Sequence, residues 1–300
     1  MELEFMPVTL PEKPGDNAER YLELLARSPA AASDYSLSNI WGWAEHYGLE
    51  WAFCKDLAWI RQTRPYTRYW APVGDWRKVA WGECCLEPGS EIIRVPEELA
   101  AIWQAARPDQ IEIEEDRGSW DYVYLVDELA TLRGNRFHKK KNHYNQFLKL
   151  YDWEYRSMQA SDLEAVLSMQ EEWVSWQESP SAGLTAENKA IERVLCNWNR
   201  LPNLIGGMIL IDGKIKAYTV GEELPGLVPD EMVVIHFEKA CTEYRGLYQA
   251  INSMFLQNDA SRFKYVNREQ DLDDPGLRKS KESYNPVDYI RKQIVRFRQA

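Results

Sequence analysis

Apolar residues along this chain switch repeatedly between a spacing of three or four and a spacing of two, which divides it into short helices and short strands. Residues 16–27 set Tyr21, Leu24 and Leu25 on one face behind Asp16 or Asn17 as cap, predicting a helix. Leu37, Ile40, Trp41, Ala44 and Tyr47 predict a second. Alternation then takes over. Trp51 and Phe53, a Lys55-Asp56 turn, then Leu57 and Trp59 predict a hairpin, and residues 68–73 a further strand. Short helices are expected near 75–85 and 96–106, then strands at 111–113 and 120–126 around the turn Asp116-Arg117-Gly118-Ser119.

Past Gly134, Phe137, Tyr144, Phe147, Leu148 and Tyr151 recur at helical spacing. The second half predicts a strand at 153–158, a helix from Ser161 or Asp162 to about Gln177, and another over 186–199. Residues 204–211 and 214–220, joined by Asp212-Gly213, predict a hairpin. A strand at 231–240, a helix at 246–258, a strand at 263–272 and a short helix at 276–284 follow. In 287–298, Ile290, Ile294 and Phe297 fit a helix, while alternation about Lys292 fits an edge strand, and both stay open. The pattern implies an α+β chain with an N-terminal domain at 1–135, a basic connecting helix at 136–151 and a C-terminal domain at 152–300.

With 45% hydrophobic and 28% charged residues the composition is globular, and 13 Trp with 16 Tyr read first as core filling and second as a pocket lining. The net charge of −11 opposes general adhesion to nucleic acid or anionic lipid, so such a partner requires a local basic patch. One exists: between Arg133 and Lys149 there are six Lys or Arg and no acid. Cys54, Cys84, Cys85, Cys196 and Cys241 follow no disulfide or zinc spacing, as expected of reduced thiols. The first residues lack a signal-peptide pattern, and no stretch approaches the roughly 18 to 20 apolar residues of a membrane span. A cytoplasmic location is expected.

Residues 132–147 (LRGNRFHKKKNHYNQF) and 265–286 (YVNREQDLDDPGLRKSKESYNP) resemble signature stretches of the soluble C-terminal part of phosphatidylglycerol lysyltransferases. Residues 236–252 are similar as well, and weaker similarity at 34–43 (DYSLSNIWGW) extends the resemblance through nearly the whole chain. The element order of 153–286 also resembles the GNAT acyltransferase fold. The resemblance implies tandem GNAT-like domains, each a mixed central sheet flanked by helices, with reactive groups meeting between them. It further implies transfer of an activated acyl or aminoacyl group to a small amine or hydroxyl acceptor. The co-substrate is then aminoacyl-tRNA or acyl-CoA, and no metal is expected. The best-known members take a lysyl group from charged tRNA to a membrane lipid and carry a multi-pass membrane portion.

In acetyltransferases of this fold, a loop and helix N-terminus hold the donor pyrophosphate. The matching stretch is Tyr244-Arg245-Gly246-Leu247-Tyr248, where one glycine among large neighbours departs from the usual pattern. Arg245 and Gly246 are therefore donor-binding candidates, with a plain helix start as the other reading. Glu238, at a strand end, is either a surface carboxylate or the base that takes a proton from the attacking amine. His236 on the same strand face is either a core histidine or part of the site. Asn267, Arg268, Glu269 and Asp271, with Lys281, form a candidate polar floor for an aminoacyl substrate, against a solvated loop. Tyr284 is either packing or a phenol placed to protonate the leaving group. Arg133, Arg136, Lys139, Lys140 and Lys141 are candidate contacts for tRNA phosphate or an anionic lipid headgroup. Arg278, Lys279, Lys281, Arg291, Lys292, Arg296 and Arg298 are candidates to extend that patch. Such transfer needs positioning and oxyanion donors rather than an enzyme nucleophile. Two rivals remain, an acyl-CoA-dependent N-acetyltransferase and a non-catalytic metabolite-binding module.

Overall fold

The computed structural model describes residues 3–30, 32–83, 89–176, 181–224 and 231–298, so Cys84 and Cys85 lie outside the described residues. The first half runs β1 (Met6–Pro7), α1 (Asn17–Leu25), α2 (Leu37–Tyr47), β2 (Leu49–Cys54), β3 (Leu57–Gln62), β4 (Arg68–Gly74), β5 (Glu91–Pro96), α3 (Glu97–Ala106) and β6 (Ile111–Glu115). Then come β7 (Asp121–Leu125), α4 (Val126–Thr131), α5 (His138–Leu150), β8 (Trp153–Ser157), α6 (Leu163–Ser175) and α7 (Ala182–Cys196). The remainder is β9 (Leu204–Ile211), β10 (Lys214–Glu223), β11 (Met232–Ala240), α8 (Leu247–Asn258), β12 (Tyr265–Asn267), α9 (Pro275–Glu282), β13 (Asp288–Ile290) and β14 (Lys292–Phe297). Local chemistry sets several boundaries. The Asp16 carboxylate accepts from Glu19 N at the start of α1, and Ser36 caps α2, which ends at Gly48 in a left-handed conformation. Helix α7 begins at 182 rather than 186 because Ser181 accepts from Leu184 N. The stretch near 75–85 holds two single 3-10 turns, at 76–78 and 81–83, rather than a helix.

The α+β expectation is met by two seven-stranded mixed sheets flanked by helices, ordered β1-β2-β3-β4-β5-β14-β6 and β13-β7-β12-β11-β10-β9-β8. Pairing is antiparallel except at β4–β5 and β11–β12. The sheets exchange strands. Strand β7 from the first half joins the second sheet beside β12 and β13, and the terminal β14 lies between β5 and β6 in the first. Residues 287–298 are thus two strands of different sheets with only Arg291 between them, and the boundaries at 135 and 152 do not coincide with sheet membership.

Aromatic rings fill the first core. Trp51, Trp59, Trp70, Trp76 and Trp103 are all buried, and Trp103 meets Phe297 of β14 edge-on at 5.7 Å. The cores of the two halves are continuous, since α2 packs on α7 so closely that a Cβ at Gly42 would stand 3.2 Å from Val194 Cγ2. Helices α4, α5 and α8 cover the opposite face of the second sheet. Among the described residues no helix is long and apolar enough to cross a membrane.

Where the chain crosses between sheets, Lys292 is completely buried. Its Nζ donates to Asp121 Oδ1 at 2.7 Å and to Asp34, and Arg94 Nη1 donates to the other oxygen of Asp34 at 2.5 Å. Burial alone would raise the Asp34 pKa, yet the charges of Arg94 and Lys292 hold it below the usual carboxylate value. The Lys292 carbonyl accepts from Asp116 N and Trp120 Nε1, both at 3.2 Å, so both crossings meet on one residue. Lys292 is therefore an internal charge and no part of an external basic patch. Replacing it by Met keeps the length, leaves buried Asp121 without a cation and leaves Asp34 with Arg94 alone. We expect Lys292→Met to lower unfolding free energy by about 3 to 5 kcal/mol in denaturant titration, and an unchanged midpoint would refute the role of this cluster.

Candidate active site

The site grows out of a break in strand pairing. Val220 of β10 lies opposite Phe237 and Gly221 opposite Ile235, so His236 is an extra residue that bulges β11. Parallel pairing of β11 with β12 runs only from Met232↔Tyr265 to Val234↔Asn267, while β11 continues to Ala240. Past Asn267 side chains bridge the two segments instead. Arg268 Nη2 donates to Glu238 Oε1 at 3.0 Å, and His236 Nδ1 stands 2.9 Å from Glu269 Oε1.

Glu238 and Arg268 face α8, with side chains 10% and 16% exposed, so the pair is largely removed from water. Asn252 Nδ2 of α8 donates to Glu238 Oε2 at 2.7 Å, so both carboxylate oxygens hold protein donors. The Arg268 guanidinium carbon lies 4.8 Å from the Tyr284 ring centre, and Lys140 Nζ of α5 lies 4.0 Å from the same centre. Gln249 Nε2 donates to the Tyr284 hydroxyl at 3.3 Å, and Lys281 Nζ donates to the Arg268 carbonyl. Arg268 Nη1 is buried and without a hydrogen-bond partner. Burial is the main force raising the Tyr284 pKa, which keeps the phenol protonated near neutrality. Burial, then the Arg268 charge, lowers the pKa of Lys140, and the same two causes bring Lys281 down to about 8.

Glu238, Arg268, Lys281 and Tyr284 thus come together, whereas the rest of the 267–271 run, Glu269 included, does not join them. Asn267 Nδ2 donates to Asp121 at 2.9 Å, on the side of the Lys292 cluster. Glu269 turns to His236 and accepts from Asn39 Nδ2 at 2.8 Å. Asp271, fully buried, accepts from Arg278 at 2.7 and 2.8 Å, from the Tyr122 hydroxyl at 2.6 Å and from Arg117 at 3.1 Å. Burial would raise its pKa, but hydrogen bonds from Arg278, Tyr122 and the Asp273 N–H, with the Arg278 charge, hold it at about 2. Its oxygens are engaged by the protein, which corrects its assignment to substrate. Among the described residues no group of three or more His, Cys, Asp or Glu is placed to hold a metal ion.

The start of α8 does not match a donor cradle. Arg245 N already donates to the Tyr151 hydroxyl at 3.1 Å. Gly246, at φ +86°, packs against the His143 carbonyl so closely that a Cβ would collide with it. Its glycine serves the α5–α8 contact. Most of the anticipated basic extension is paired within the protein: Arg278 with Asp271, Arg291 with Glu97, and Arg296 with Glu91 and Glu114, while Lys279 and Arg298 are exposed. The patch itself is different. Arg133, Arg136, Lys139 and Lys141 are exposed, Lys140 is half-buried, and only Arg136 has an acidic partner, Glu128. Arg136, His138, Lys139, Lys140 and His143 line a cavity of about 670 Å³ with Asn135 and Ser283.

Sequence reasoning missed the groups that hold this arrangement: Asn252 and Gln249 inside an apolar helix, and Asn39, Asp34 and Asp121 from the first half. Asp34 and Asn39 do fall in the stretch DYSLSNIWGW that carried part of the resemblance.

The family model for the C-terminal part of phosphatidylglycerol lysyltransferase matches residues 25–296. An uncharacterised protein of Mycoplasmoides gallisepticum is 25% identical over 182 residues, covering 59% of this chain but only 56% of that protein, so this chain spans little more than half of that curated relative. A conserved protein of unknown function from Bacteroides thetaiotaomicron has a crystal structure with a TM-score of 0.83 and 29% identity, covering 99% of this chain and 100% of that one. The C-terminal domain of a putative lysylphosphatidylglycerol synthetase from Agrobacterium fabrum shares the fold at a TM-score of 0.63 and 11% identity, covering 92% of this chain and 90% of that one.

The buried imidazole of His236 lies between two carboxylates, with Glu222 Oε2 at 3.0 Å and Glu269 Oε1 at 2.9 Å, and Ser36 Oγ stands 3.4 Å away. Burial would lower its pKa, but hydrogen bonds to Glu222 and Glu269 outweigh this and lift it from 6.5 to about 9. The folded chain therefore binds this proton more tightly than the unfolded chain. The resulting stability is complete below pH 6.5 and is lost as pH rises through about 9. Denaturant titrations should show a decline on the order of 3 kcal/mol across that window, absent in His236→Gln; equal slopes in both proteins would contradict a protonated His236.

Proposed function

The chain belongs to the phosphatidylglycerol lysyltransferase C-terminal family, and from that premise we propose that it transfers an aminoacyl or acyl group at a centre built on Tyr284, Arg268 and Lys140. The observation that carries this reading is the convergence of two cations on the ring of one buried tyrosine, 4.8 and 4.0 Å from its centre. Attack of an amine or hydroxyl on an activated ester develops negative charge on the carbonyl oxygen, and the largely buried Arg268 with the half-buried Lys140 are fixed cations that stabilise it. The acceptor loses a proton as its bond to the acyl carbon forms, and the departing alkoxide gains one as its own bond breaks. A phenol kept protonated at neutral pH can give the second proton and recover the first.

Glu238 takes a different part from the general base expected of it. Its two oxygens are engaged by Arg268 and Asn252, so we assign it to holding the guanidinium in place. The donor class remains aminoacyl-tRNA or acyl-CoA. The occupied Arg245 amide and the tight Gly246 contact weigh against the usual acyl-CoA cradle. The names of the relatives suggest a lysyl group and a lipid acceptor, which we carry over only as the first pair to try.

Transfer assays with charged tRNA and acyl-CoA donors, run side by side over small amine, hydroxyl and phosphatidylglycerol acceptors, test the reading. Tyr284→Phe should keep the melting temperature and lower kcat by about 100-fold or more with whichever donor is used. Wild-type kcat in this variant would move the centre elsewhere.

A further inference from the structure

We propose that Gln249 is a positioning residue that turns the hydroxyl proton of Tyr284 toward the substrate. Its amide Nε2, in the first turn of α8, donates to the phenol oxygen at 3.3 Å. Tyr284 is 5% exposed, and among the described residues no acceptor takes its own proton. Arg268 Nη1, on the guanidinium beside the same ring, is buried and unpartnered as well. A buried donor without an acceptor is costly, and these two belong to neighbouring groups. The partner that the fold leaves out is an oxygen arriving with the substrate, one that gains negative charge as the ester bond breaks.

The amide sets the direction of that proton. A phenol oxygen both donates and accepts, and its proton lies near the ring plane, where it has two positions. A donor held at one of them leaves only the other to the proton. Gln249 reaches the oxygen from a fixed place, because Gly246 seats the start of α8 against the His143 carbonyl of α5. The same α5 carries Lys140, whose Nζ lies 4.0 Å from the centre of the Tyr284 ring. One helix therefore holds the ring and the next holds its hydroxyl. Within α8, Gln249 faces the phenol just as Asn252 faces Glu238. Fixing so flexible a side chain costs rotamer entropy, which the hydrogen bond offsets.

This rests on the reading of Tyr284 as the proton donor in transfer, and the two fail separately. NMR of protein carrying tyrosine isotope-labelled at Cζ reads the contact without turnover. The Tyr284 resonance, recognised by its absence in Tyr284→Phe, should shift in Gln249→Leu, where the donor to the phenol oxygen is gone. In transfer assays Gln249→Leu should lower kcat by about tenfold and leave KM within about twofold. Added to Tyr284→Phe, the same substitution should cost nothing further, since the group it acts through is missing. Gln249→Glu keeps the shape but accepts without donating near neutrality, so it should lose at least as much as Gln249→Leu. An equal loss in both backgrounds marks a purely structural role and overturns the proposal. Wild-type kcat in Gln249→Glu also overturns it, because the amide then accepts the phenol proton. An unshifted resonance with a large loss in Tyr284→Phe removes Gln249 and leaves the reactive centre standing. A shifted resonance with wild-type turnover in Tyr284→Phe removes the reactive centre, and the positioning role with it.

Discussion

An ammonium group without access to water stands where both chain crossings between the sheets meet, and the rest of the architecture depends on how its charge is balanced. Lys292 is held by Asp121 at the start of β7 and by Asp34 ahead of α2, and Arg94 from β5 completes two positive and two negative charges. Desolvating four charges is costly, and removing any one leaves a neighbour uncompensated in a medium of low dielectric constant. The set is complete only when four segments from 34 to 292 are in place together. Two sheets that share strands, a continuous core and this cluster therefore form one folding unit, even though each has its own helices.

The candidate site inherits its geometry from that cluster by a short path. Asp121 accepts from Asn267, and Asn267 Oδ1 accepts from Glu269 N, which fixes the backbone just where β12 ends. Glu269 has φ +55°, an unusual conformation for a residue with a long side chain, and the fixed turn sends successive side chains to separate destinations. Arg268 goes to Glu238 and Tyr284, Glu269 to His236, and Asp271 to Arg278. A run that reads as one polar floor is therefore three networks, of which one reaches the reactive centre and the other two hold it in place.

Local structure was legible because local physics determines it. The Asp212-Gly213 hairpin and the Asp16 cap lie where the pattern put them, since turn and cap preferences act over a few residues. Strand exchange was not legible. The pairing of β14 with β5 and β6 joins residues some two hundred positions apart, and alternation within 292–297 carries no record of its partners. Lys292 looked like part of a basic tail because side-chain type alone does not report burial, although Val295 and Phe297, buried in the same strand, were apolar signals in the sequence. Glu238 stood out in the sequence as a strand-end carboxylate, but its surroundings depend on Asn252 and Arg268 occupying both oxygens, a fact of three dimensions.

The same ion pairs set the local charge that a ligand meets at the surface. At physiological salt an exposed charge is felt over about 8 Å, so the overall −11 neither repels nor attracts a ligand much beyond that range. What a ligand meets on arrival is the local balance, and at 139–141 that balance is positive because the basic side chains of the C-terminal strands are consumed by acids of the first half. The ion pairs that close the fold thus neutralise several cations of the C-terminal strands and leave Lys139, Lys140 and Lys141 without acidic partners among the described residues. Lys140 carries part of that charge to the ring of Tyr284, 4.0 Å from its Nζ.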